Sequence, residues 1–439
     1  MRIELVKDNP ASRSHLAAVQ MGNQSEGVFA VSRALLLNRN IRAIAVTGLI
    51  SGVYIGMLNF TLQLFPLSIG LGVPAIGLLQ AVGNRFSGAA GTLIQPLAGH
   101  YSDLHSRKGS IMLGSATTIA SMLCFVGSAL TRDWYLIIIA FVLYGLSILG
   151  SPASQAMVAE SVALDPHKMD VAYSLVFFLG TVPGVVSPAL AGSAVGATGY
   201  LAIFAAAALL ESFDLILYWR ELSETEHVMP VEPEQGPRFS LREAFVFPRS
   251  TWGFYGALAA DAFAFGISSN IIYAMAQDQF HFSAQEIGLL VAVWYSAMLA
   301  SQYPATQLLI RFGPKKTLMA SEALGTVLMT GWALSNSLPE FLVFSVVFGA
   351  SVTTWVPGVS SLLMTHAPPK TRGGVGGKVA AFRGLVAFPA PILGGYLYQY
   401  LGYDAPVLAS LVGTLACIAL MIRFLPERPT VTSRGGSST

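Results

Sequence analysis

The chain has 439 residues, of which 54% are apolar and 11% are charged. Soluble domains carry about 25% charged residues, so this composition excludes a water-soluble globular class and predicts a polytopic membrane protein. The net charge of +2 is too small to indicate nucleic-acid binding. The 2 cysteines, Cys124 and Cys417, lie far apart in apolar runs, which excludes a disulfide framework and a cysteine-rich metal site.

Apolar runs separated by charged and turn residues predict twelve membrane-spanning helices, since one crossing needs about 20 residues. We number them as spans 1 to 12. They are predicted at about 42–64, 74–98, 109–130, 134–158, 169–194, 199–219, 252–275, 284–310, 315–336, 340–364, 374–399 and 404–424.

A domain organisation follows from the single long polar stretch between these runs, residues 220–250. It predicts a linker between two six-helix bundles, at 42–219 and 251–424, in an all-α membrane fold with pseudo-symmetric halves. Residues 1–41 and 425–439 then form terminal segments. The first 27 residues lack the apolar core of a secretory signal, so we expect no cleaved leader and targeting by span 1.

The orientation follows from the lysine and arginine residues, which membrane proteins retain in cytoplasmic loops. If both termini are cytoplasmic, all but three of the 25 basic residues lie on that side. The exceptions are Arg85 and Arg383 within spans, and Arg132 outside. We therefore predict that both terminal segments and the linker are cytoplasmic.

Two sequence matches relate the halves to each other. IGLL at 76–79 recurs at 287–290, each time at the start of the second span of its half. SPALAG at 187–192 is matched by APILGG at 390–395, and a Gly-Tyr pair follows both. Such a duplication is typical of transporters whose halves rock about a midplane site.

The loop after span 2, GHYSDLHSRKGSIM at 99–112, resembles the loop signature of the major facilitator superfamily. The matching positions are Gly99, Asp103, Arg107 and Lys108. The sequence departs from the usual pattern at Tyr101, Leu104 and Ser106. Twelve spans in a 6+6 arrangement with a central linker agree with this resemblance, which implies a secondary transporter.

The resemblance also implies that this loop belongs to a cytoplasmic gate. In the family, a charged network there holds the halves together when the cavity opens outward, and an acid at the end of span 4, here Glu160, often joins it. Gly99 would permit close helix approach, and Asp103 would pair with Arg107. The alternative is that Arg107 and Lys108 only set the topology.

Ionisable residues within a span are costly, so each is a functional candidate. Six lie away from the ends of their spans, namely Arg85, Glu211, Asp214, Asp261, Glu322 and Arg383. The resemblance implies that spans 1, 4, 7 and 10 form the cavity core, that spans 2, 5, 8 and 11 complete its walls, and that the others stand outside. Arg85, Asp261 and Arg383 then lie on cavity helices, and the other three are assigned to packing or local pairing.

Asp261, about ten residues into span 7, is the leading candidate for a proton-binding carboxylate or a substrate contact, with Arg85 and Arg383 as its counterparts. The alternative is a static salt bridge. Two cavity arginines against one acid leave a surplus positive charge, which favours an anionic substrate or a further acidic partner such as Glu322.

Polar and aromatic residues on the cavity helices complete the predicted site, although each alone is more often a packing or anchoring residue. They are Asn59 and Gln63 on span 1, Tyr144 and Gln155 on span 4, Asn270 and Tyr273 on span 7, Trp294 and Tyr295 on span 8, and Trp355 on span 10.

A membrane enzyme is disfavoured, because all 7 histidines fall in loops or at predicted helix ends and Asp261 has no obvious twin for an aspartyl pair. A receptor or scaffold is a second alternative. We predict a non-enzymatic secondary transporter of the cytoplasmic membrane that carries an anionic or amphipathic metabolite, with efflux of hydrophobic compounds as the alternative. Its expected partners are a small solute, lipid and a proton as candidate coupling ion, with no cofactor, metal or nucleic acid, and we expect a monomer.

Overall fold

The computed structural model describes residues 31–85, 87–162, 166–225, 251–366 and 372–425. These residues form helices joined by short turns and breaks, and none of them lies in a strand.

The helices of the N-terminal half make up spans 1 to 6. They are α1 Arg39–Ser68 (span 1), α2 Val73–Gly83 and α3 Ala89–Leu104 (span 2), α4 Arg107–Thr131 (span 3), α5 Trp134–Leu146 and α6 Gly150–Ser161 (span 4), α7 Pro166–Thr181 and α8 Ser187–Thr198 (span 5), and α9 Tyr200–Glu221 (span 6).

The helices of the C-terminal half make up spans 7 to 12. They are α10 Trp252–Ser269 and α11 Ile272–Phe280 (span 7), α12 Ala284–Leu334 (spans 8 and 9), α13 Leu338–His366 (span 10), α14 Arg372–Ala387 and α15 Ala390–Leu401 (span 11), and α16 Asp404–Phe424 (span 12).

The described helices account for twelve membrane crossings. Ten helical stretches among the described residues are long and apolar enough to cross a membrane, and span 2 adds one that is divided at 84–88. The 51 residues of α12 would measure about 75 Å as one helix, more than twice the roughly 30 Å of a bilayer core. Gly313, with φ 79° and ψ 171°, breaks it into two crossings. The predicted all-α fold of twelve membrane helices is confirmed.

The burial pattern of the outer helices suits lipid rather than water. On α9, Phe204 and Ala207 are buried, whereas Leu209, Phe213 and Ile216 are exposed. Large apolar side chains on the outer face cost nothing in hydrocarbon, so the helix needs no polar outer stripe.

We call the end of the bundle that contains Arg107, Lys108 and Gly313 the basic end, and the end that contains Arg132 and Gly402 the far end. A large apolar cluster near the far end includes Phe60 and Ile76 of one half together with Met275 and Leu290 of the other. Near the basic end, apolar clusters are separate for each half, one around Met157 and one around Leu318. The halves are therefore packed together at the far end in this conformation.

The repeated sequence segments form this far-end contact in a symmetric way. Gly77, in the first IGLL, lies against the carbonyl oxygen of Pro391, and Gly288, in the second, lies against the carbonyl oxygen of Pro188. A Cβ at either glycine would overlap that oxygen, so glycine allows the close backbone approach. The IGLL segment of each half thus packs against the opposite half's copy of the second repeat, APILGG at 390–395 or SPALAG at 187–192.

Candidate functional site

The C-terminal half contains a cavity of about 160 Å³ between spans 7, 9, 10, 11 and 12. Four of its lining residues define what we call the C-terminal site: Asp261, Glu322, Trp355 and Arg383. Asp261 and Glu322 have relative exposures of 9% and 4%. The cavity places free space directly beside these two buried acids.

Asp261 and Glu322 form a hydrogen-bonded pair of carboxyl groups. An ionised carboxylate has only acceptor atoms, so a hydrogen bond between two carboxyl groups requires a proton on one of them. Two like charges in contact are also unfavourable in a buried site. The arrangement therefore favours one bound proton on the pair.

Arg383 is positioned by contacts with two other helices. Its Nε donates to the carbonyl oxygen of Leu258 at 3.2 Å, and its guanidinium carbon lies 4.4 Å from the centre of the Trp355 ring. Its positive charge attracts Asp261 across the cavity. The arginine can therefore favour ionised Asp261 while Glu322 keeps the proton.

Hydrogen bonds between spans 9 and 10 place Glu322 toward the cavity. The Ser321 hydroxyl contacts the carbonyl oxygen of Ser351 at 2.9 Å, and the Ser351 hydroxyl contacts that of Ser321 at 3.2 Å. These reciprocal contacts hold the two helices together one residue before Glu322. Neither serine was predicted as a site residue, because single serines in apolar helices give no sequence signal.

The N-terminal half contains a second polar cluster, which we call the N-terminal site: Tyr54, Arg85, Ser115, Glu211 and Asp214. Glu211 accepts hydrogen bonds from the Ser115 hydroxyl and from Tyr54. Arg85 lies near enough to attract Glu211. Asp214 is 1% exposed, and neither of its carboxylate oxygens has a hydrogen-bond partner.

The break in span 2 carries Arg85 to this cluster. α2 ends at Gly83, where a Cβ would overlap the carbonyl oxygen of Phe141, and α3 begins at Ala89. Irregular backbone at membrane depth occurs where protein or a cavity satisfies it. Here the Asn84 side chain accepts from the backbone N–H of Ser87 at 3.1 Å.

Asn84 also connects this break to the break in span 7. Its Nδ2 donates to Oδ1 of Asn270 at 3.2 Å, and Asn270 lies between α10 and α11. Gln63 makes a second contact between the halves, since its Oε1 accepts from the backbone N–H of Tyr273 at 3.0 Å and Ala274 at 3.4 Å. The Asn84–Asn270 and Gln63 contacts join the two halves, and Gln63 also caps the start of α11.

Tyr144 and Tyr295 lie between the two sites. Tyr144 interacts electrostatically with Arg85 and with Tyr295, and Tyr295 is hydrogen-bonded to Asn59. Tyr144 is therefore close enough to Arg85 of its own half and to Tyr295 of the other half to interact electrostatically with both.

The predicted gate loop forms a charged cluster at the basic end. Nη2 of Arg107 lies 3.0 Å from Oε1 of Glu160 in a largely buried ion pair, and Nη1 donates to the Ser102 hydroxyl at 2.8 Å. The side chain of Asp103 lies outside the described residues. Gly99 does not make the expected close approach to a described residue, because a Cβ there would lie 3.9 Å from the Pro152 side chain, an ordinary contact distance.

The segment after α9 adds contacts that the sequence did not predict. Oε1 of Glu224 accepts from the Arg107 N–H at 2.5 Å, and Oε2 accepts from the Ser106 hydroxyl at 2.9 Å. Nζ of Lys108 donates to the carbonyl oxygens of Trp219 at 2.7 Å and Leu222 at 2.9 Å. An acid thus caps the start of α4 and a lysine caps the end of α9.

A family model agrees with this architecture over nearly the whole described chain. The model of the Major Facilitator Superfamily matches residues 44–272 and 255–438. The chain belongs to the Major Facilitator Superfamily. The resemblance to this family predicted from the loop 99–112 is therefore confirmed. This major facilitator protein is a multi-pass membrane protein of a transporter family.

Three known proteins illustrate its similarities. An uncharacterised MFS-type transporter, YqjV of Bacillus subtilis (strain 168), is 23% identical over 329 residues, which cover 73% of this chain and 78% of that protein. The class C tetracycline resistance protein of Escherichia coli is 27% identical over 267 residues, 57% of this chain and 64% of that protein. A mutant of the nucleoside transporter NupG has the same fold, with a TM-score of 0.70 and 11% identity, covering 88% of this chain and 98% of that one.

The predicted site residues fall into three groups in this major facilitator protein. Asp261, Arg383 and Trp355 lie together in the C-terminal site. Arg85 and Tyr144 lie in or beside the N-terminal site, so Arg85 is not a neighbour of Asp261. Asn59, Gln63, Asn270, Tyr273 and Tyr295 lie in contacts between the halves. Of the other two predicted residues, Trp294 stacks on Tyr295 and Gln155 is exposed.

The sequence left two outcomes open for the two arginines, an anionic substrate or a further acidic partner such as Glu322. The structure places Glu322 beside Asp261 and Arg383, whereas Arg85 faces Glu211 with Asp214 nearby. Each of the two sites therefore contains one arginine and two acids. The sequence could not decide between these outcomes because it does not show which way a helix turns its charged face.

Proposed function

We propose that this protein is a proton-coupled secondary transporter that moves a small amphipathic organic solute across the cytoplasmic membrane by alternating access. The observation that carries the proposal is the Asp261–Glu322 carboxyl pair, which lies in a cavity shared with Arg383. A buried protonated pair with a cavity and a nearby cation has the parts needed to couple proton release to a change in its surroundings.

The coupling follows from the charges around Asp261. With a proton on the pair, the site as a whole is neutral, since one carboxylate balances Arg383. Loss of that proton leaves an uncompensated negative charge, which is costly away from water. We infer that the site changes its exposure readily when neutral, and that the charged form holds the cavity open to water.

The basic residues at one end support a cytoplasmic assignment for that end and for both termini. Packing of the halves at the far end then corresponds to an inward-facing conformation. The pseudo-symmetric contacts of Gly77 and Gly288 support rocking of the halves, because both join the two halves at the far end, where rocking would separate them.

Each site sets two acids against one arginine, so neither has the excess positive charge that would favour a simple anion as the solute. Phe265 and Trp355 line the cavity beside the carboxyl pair and Arg383, which suits a solute with an apolar ring and one or two polar groups. The alternative function, efflux of hydrophobic compounds, is supported by the match to a tetracycline resistance protein. Both functions use the same site.

The test is proton-driven transport by Asp261→Asn in reconstituted vesicles. A mixed solute library, with tetracycline included, is first screened for thermal stabilisation of the purified protein, since a ligand of the folded state raises its stability. For a stabilising solute, Asp261→Asn is expected to abolish accumulation driven by a pH gradient and to retain counterflow exchange. Asp133→Asn, at an exposed helix start, is the matched control and is expected to transport normally.

If Asp261→Asn keeps full gradient-driven accumulation with unchanged pH dependence, the proton role is wrong. The Asp261–Glu322–Arg383 cluster is then a static polar contact, and proton coupling, if observed, belongs elsewhere.

We also propose that the loop 99–112 acts as the cytoplasmic gate. Asp103→Asn is expected to slow interconversion while changing solute affinity by no more than a few fold, because the loop lies at the basic end, away from the cavity. A normal transport rate in this variant would remove Asp103 from the gate.

A further inference from the structure

The acids of the N-terminal site have no part in the function proposed above. Glu211 and Asp214 lie three residues apart on α9, with relative exposures of 4% and 1%. Residues at this spacing share one face of a helix, and that face is turned into the N-terminal bundle rather than toward lipid. Two carboxyl groups in such a place require a chemical reason.

The two acids differ in how well their oxygens are satisfied. Glu211 accepts from Ser115 and Tyr54 and is attracted by Arg85. Both oxygens of Asp214 are buried without a hydrogen-bond partner, and one oxygen of Glu211 is in the same state. Nε of Arg85 is also buried without a partner. Asp214 as an anion would be a bare buried charge beside a second carboxylate.

The groups that face the two acids are known for each packed element. Span 1 provides Tyr54, span 2 provides Arg85 and span 4 provides Tyr144, while Tyr218 lies one turn further along α9. Span 3 provides the non-titrating Ser115, and the described part of span 5 turns no titratable group toward them. Arg85 is therefore the one cation among these described neighbours, and it balances a single carboxylate.

A proton is the ligand that fits this arrangement. A metal cation would be repelled by the Arg85 guanidinium, and the hydroxyls of Tyr54 and Ser115 are already engaged by Glu211. A proton needs no coordination shell, neutralises one carboxyl group and leaves the other to balance Arg85.

We propose that Glu211 and Asp214 form a second proton-binding site in the N-terminal half, with Arg85 as its movable counter-ion. The proton moves between water and a carboxylate oxygen, and no other bond is made or broken. Arg85 is carried on the span 2 break, and its neighbour Asn84 is hydrogen-bonded to Asn270 of the other half. Separation of the halves would break that bond and shift Arg85, which changes the charge that Glu211 and Asp214 must balance.

The experiment is infrared spectroscopy of purified protein in lipid vesicles, titrated with pH. Protonated carboxylic acids give a C=O stretching band that ionised carboxylates lack. We expect Asp214→Asn to lose one such band relative to the natural sequence. Asp133→Asn, at an exposed position where asparagine also caps a helix, is the matched control and is expected to keep every buried-carboxyl band.

Glu211→Gln is the second variant, in case Asp214→Asn does not fold. Without Glu211, the carboxylate that repels ionised Asp214 is gone and the Arg85 charge is left unbalanced, so Asp214 is expected to ionise and its band to disappear. If folded samples of either variant keep all bands of the natural sequence, the proposal is overturned. It is also overturned if the band responds to added sodium at constant pH and not to pH itself.

The experiments can reject this proposal and the proposed function independently of each other. Asp261→Asn is expected to remove a different band and to abolish gradient-driven accumulation. Loss of the Asp214 band alone, with normal transport by Asp261→Asn, would keep the second site and reject the proton role of Asp261.

Discussion

The two halves of this transporter contain polar sites of the same charge composition, one arginine and two acids, but of different surroundings. The C-terminal site opens on a cavity and stacks its arginine on Trp355. The N-terminal site is closed around Tyr54 and Ser115 and leaves the oxygens of Asp214 without partners. Under our proposals, the C-terminal site, which has space and an aromatic ring, takes a solute as well as a proton, whereas the enclosed N-terminal site takes a proton alone.

The largest expected effect is on the free energy of unfolding, which we expect the two arginines to stabilise to different extents. Arg85→Gln leaves Glu211 without its cation in an enclosed site, so we expect a loss of about 3–5 kcal/mol of unfolding free energy. Arg383→Gln should cost less, because its acids reach the cavity. Thermal or denaturant unfolding in detergent measures both. The double variant Arg85→Gln/Glu211→Gln should recover much of the loss, and equal losses for the two arginines would contradict the comparison.

The second prediction concerns solute binding, for which we expect Arg383→Gln to have a larger effect than Arg85→Gln. Arg383→Gln should weaken binding of a solute that carries a hydrogen-bond acceptor by roughly 1.5–3 kcal/mol, as for a lost charged hydrogen bond. Binding is measured by calorimetry with a solute identified in the stabilisation screen. A larger effect on affinity from Arg85→Gln, in a folded sample, would place the solute at the N-terminal site.

The third prediction uses the symmetry of the far-end contact. Gly77→Val and Gly288→Val each insert a side chain against a carbonyl oxygen of the other half, so both should disfavour far-end closure by about 1–3 kcal/mol. Single-molecule distances across the far end would show a shift toward its open form. Gly196→Val is the control, since no atom lies within 4 Å of a Cβ there. A shift in one variant alone would show that the contact is not functionally symmetric.

The smallest expected effect tests the aromatic contact that distinguishes the C-terminal site. Trp355→Phe keeps an apolar ring but weakens the attraction for the Arg383 guanidinium, by about 0.5–1 kcal/mol. The measurement is solute affinity together with thermal stability. An unchanged affinity with lowered stability would assign Trp355 to packing rather than to solute contact.

The sequence alone determined the fold and the family. Long apolar runs, the interruption between 310 and 315, the polar linker, the IGLL repeats and the loop 99–112 are local patterns, and each has a direct structural meaning in a membrane. It also identified the six ionisable residues that lie away from the ends of the spans, since such residues stand out in an apolar background.

Only the tertiary structure decided how those residues are grouped. The rotation of each helix about its axis and the depth of each break decide which charges meet, and both depend on packing between segments far apart in the chain. Glu322 was assigned away from the cavity, but the contacts between Ser321 and Ser351 turn it toward Asp261. The break at 84–88 takes Arg85 to Glu211 instead. The sequence of a helix shows which residues share a face, whereas the packing of the whole bundle decides which neighbour that face contacts.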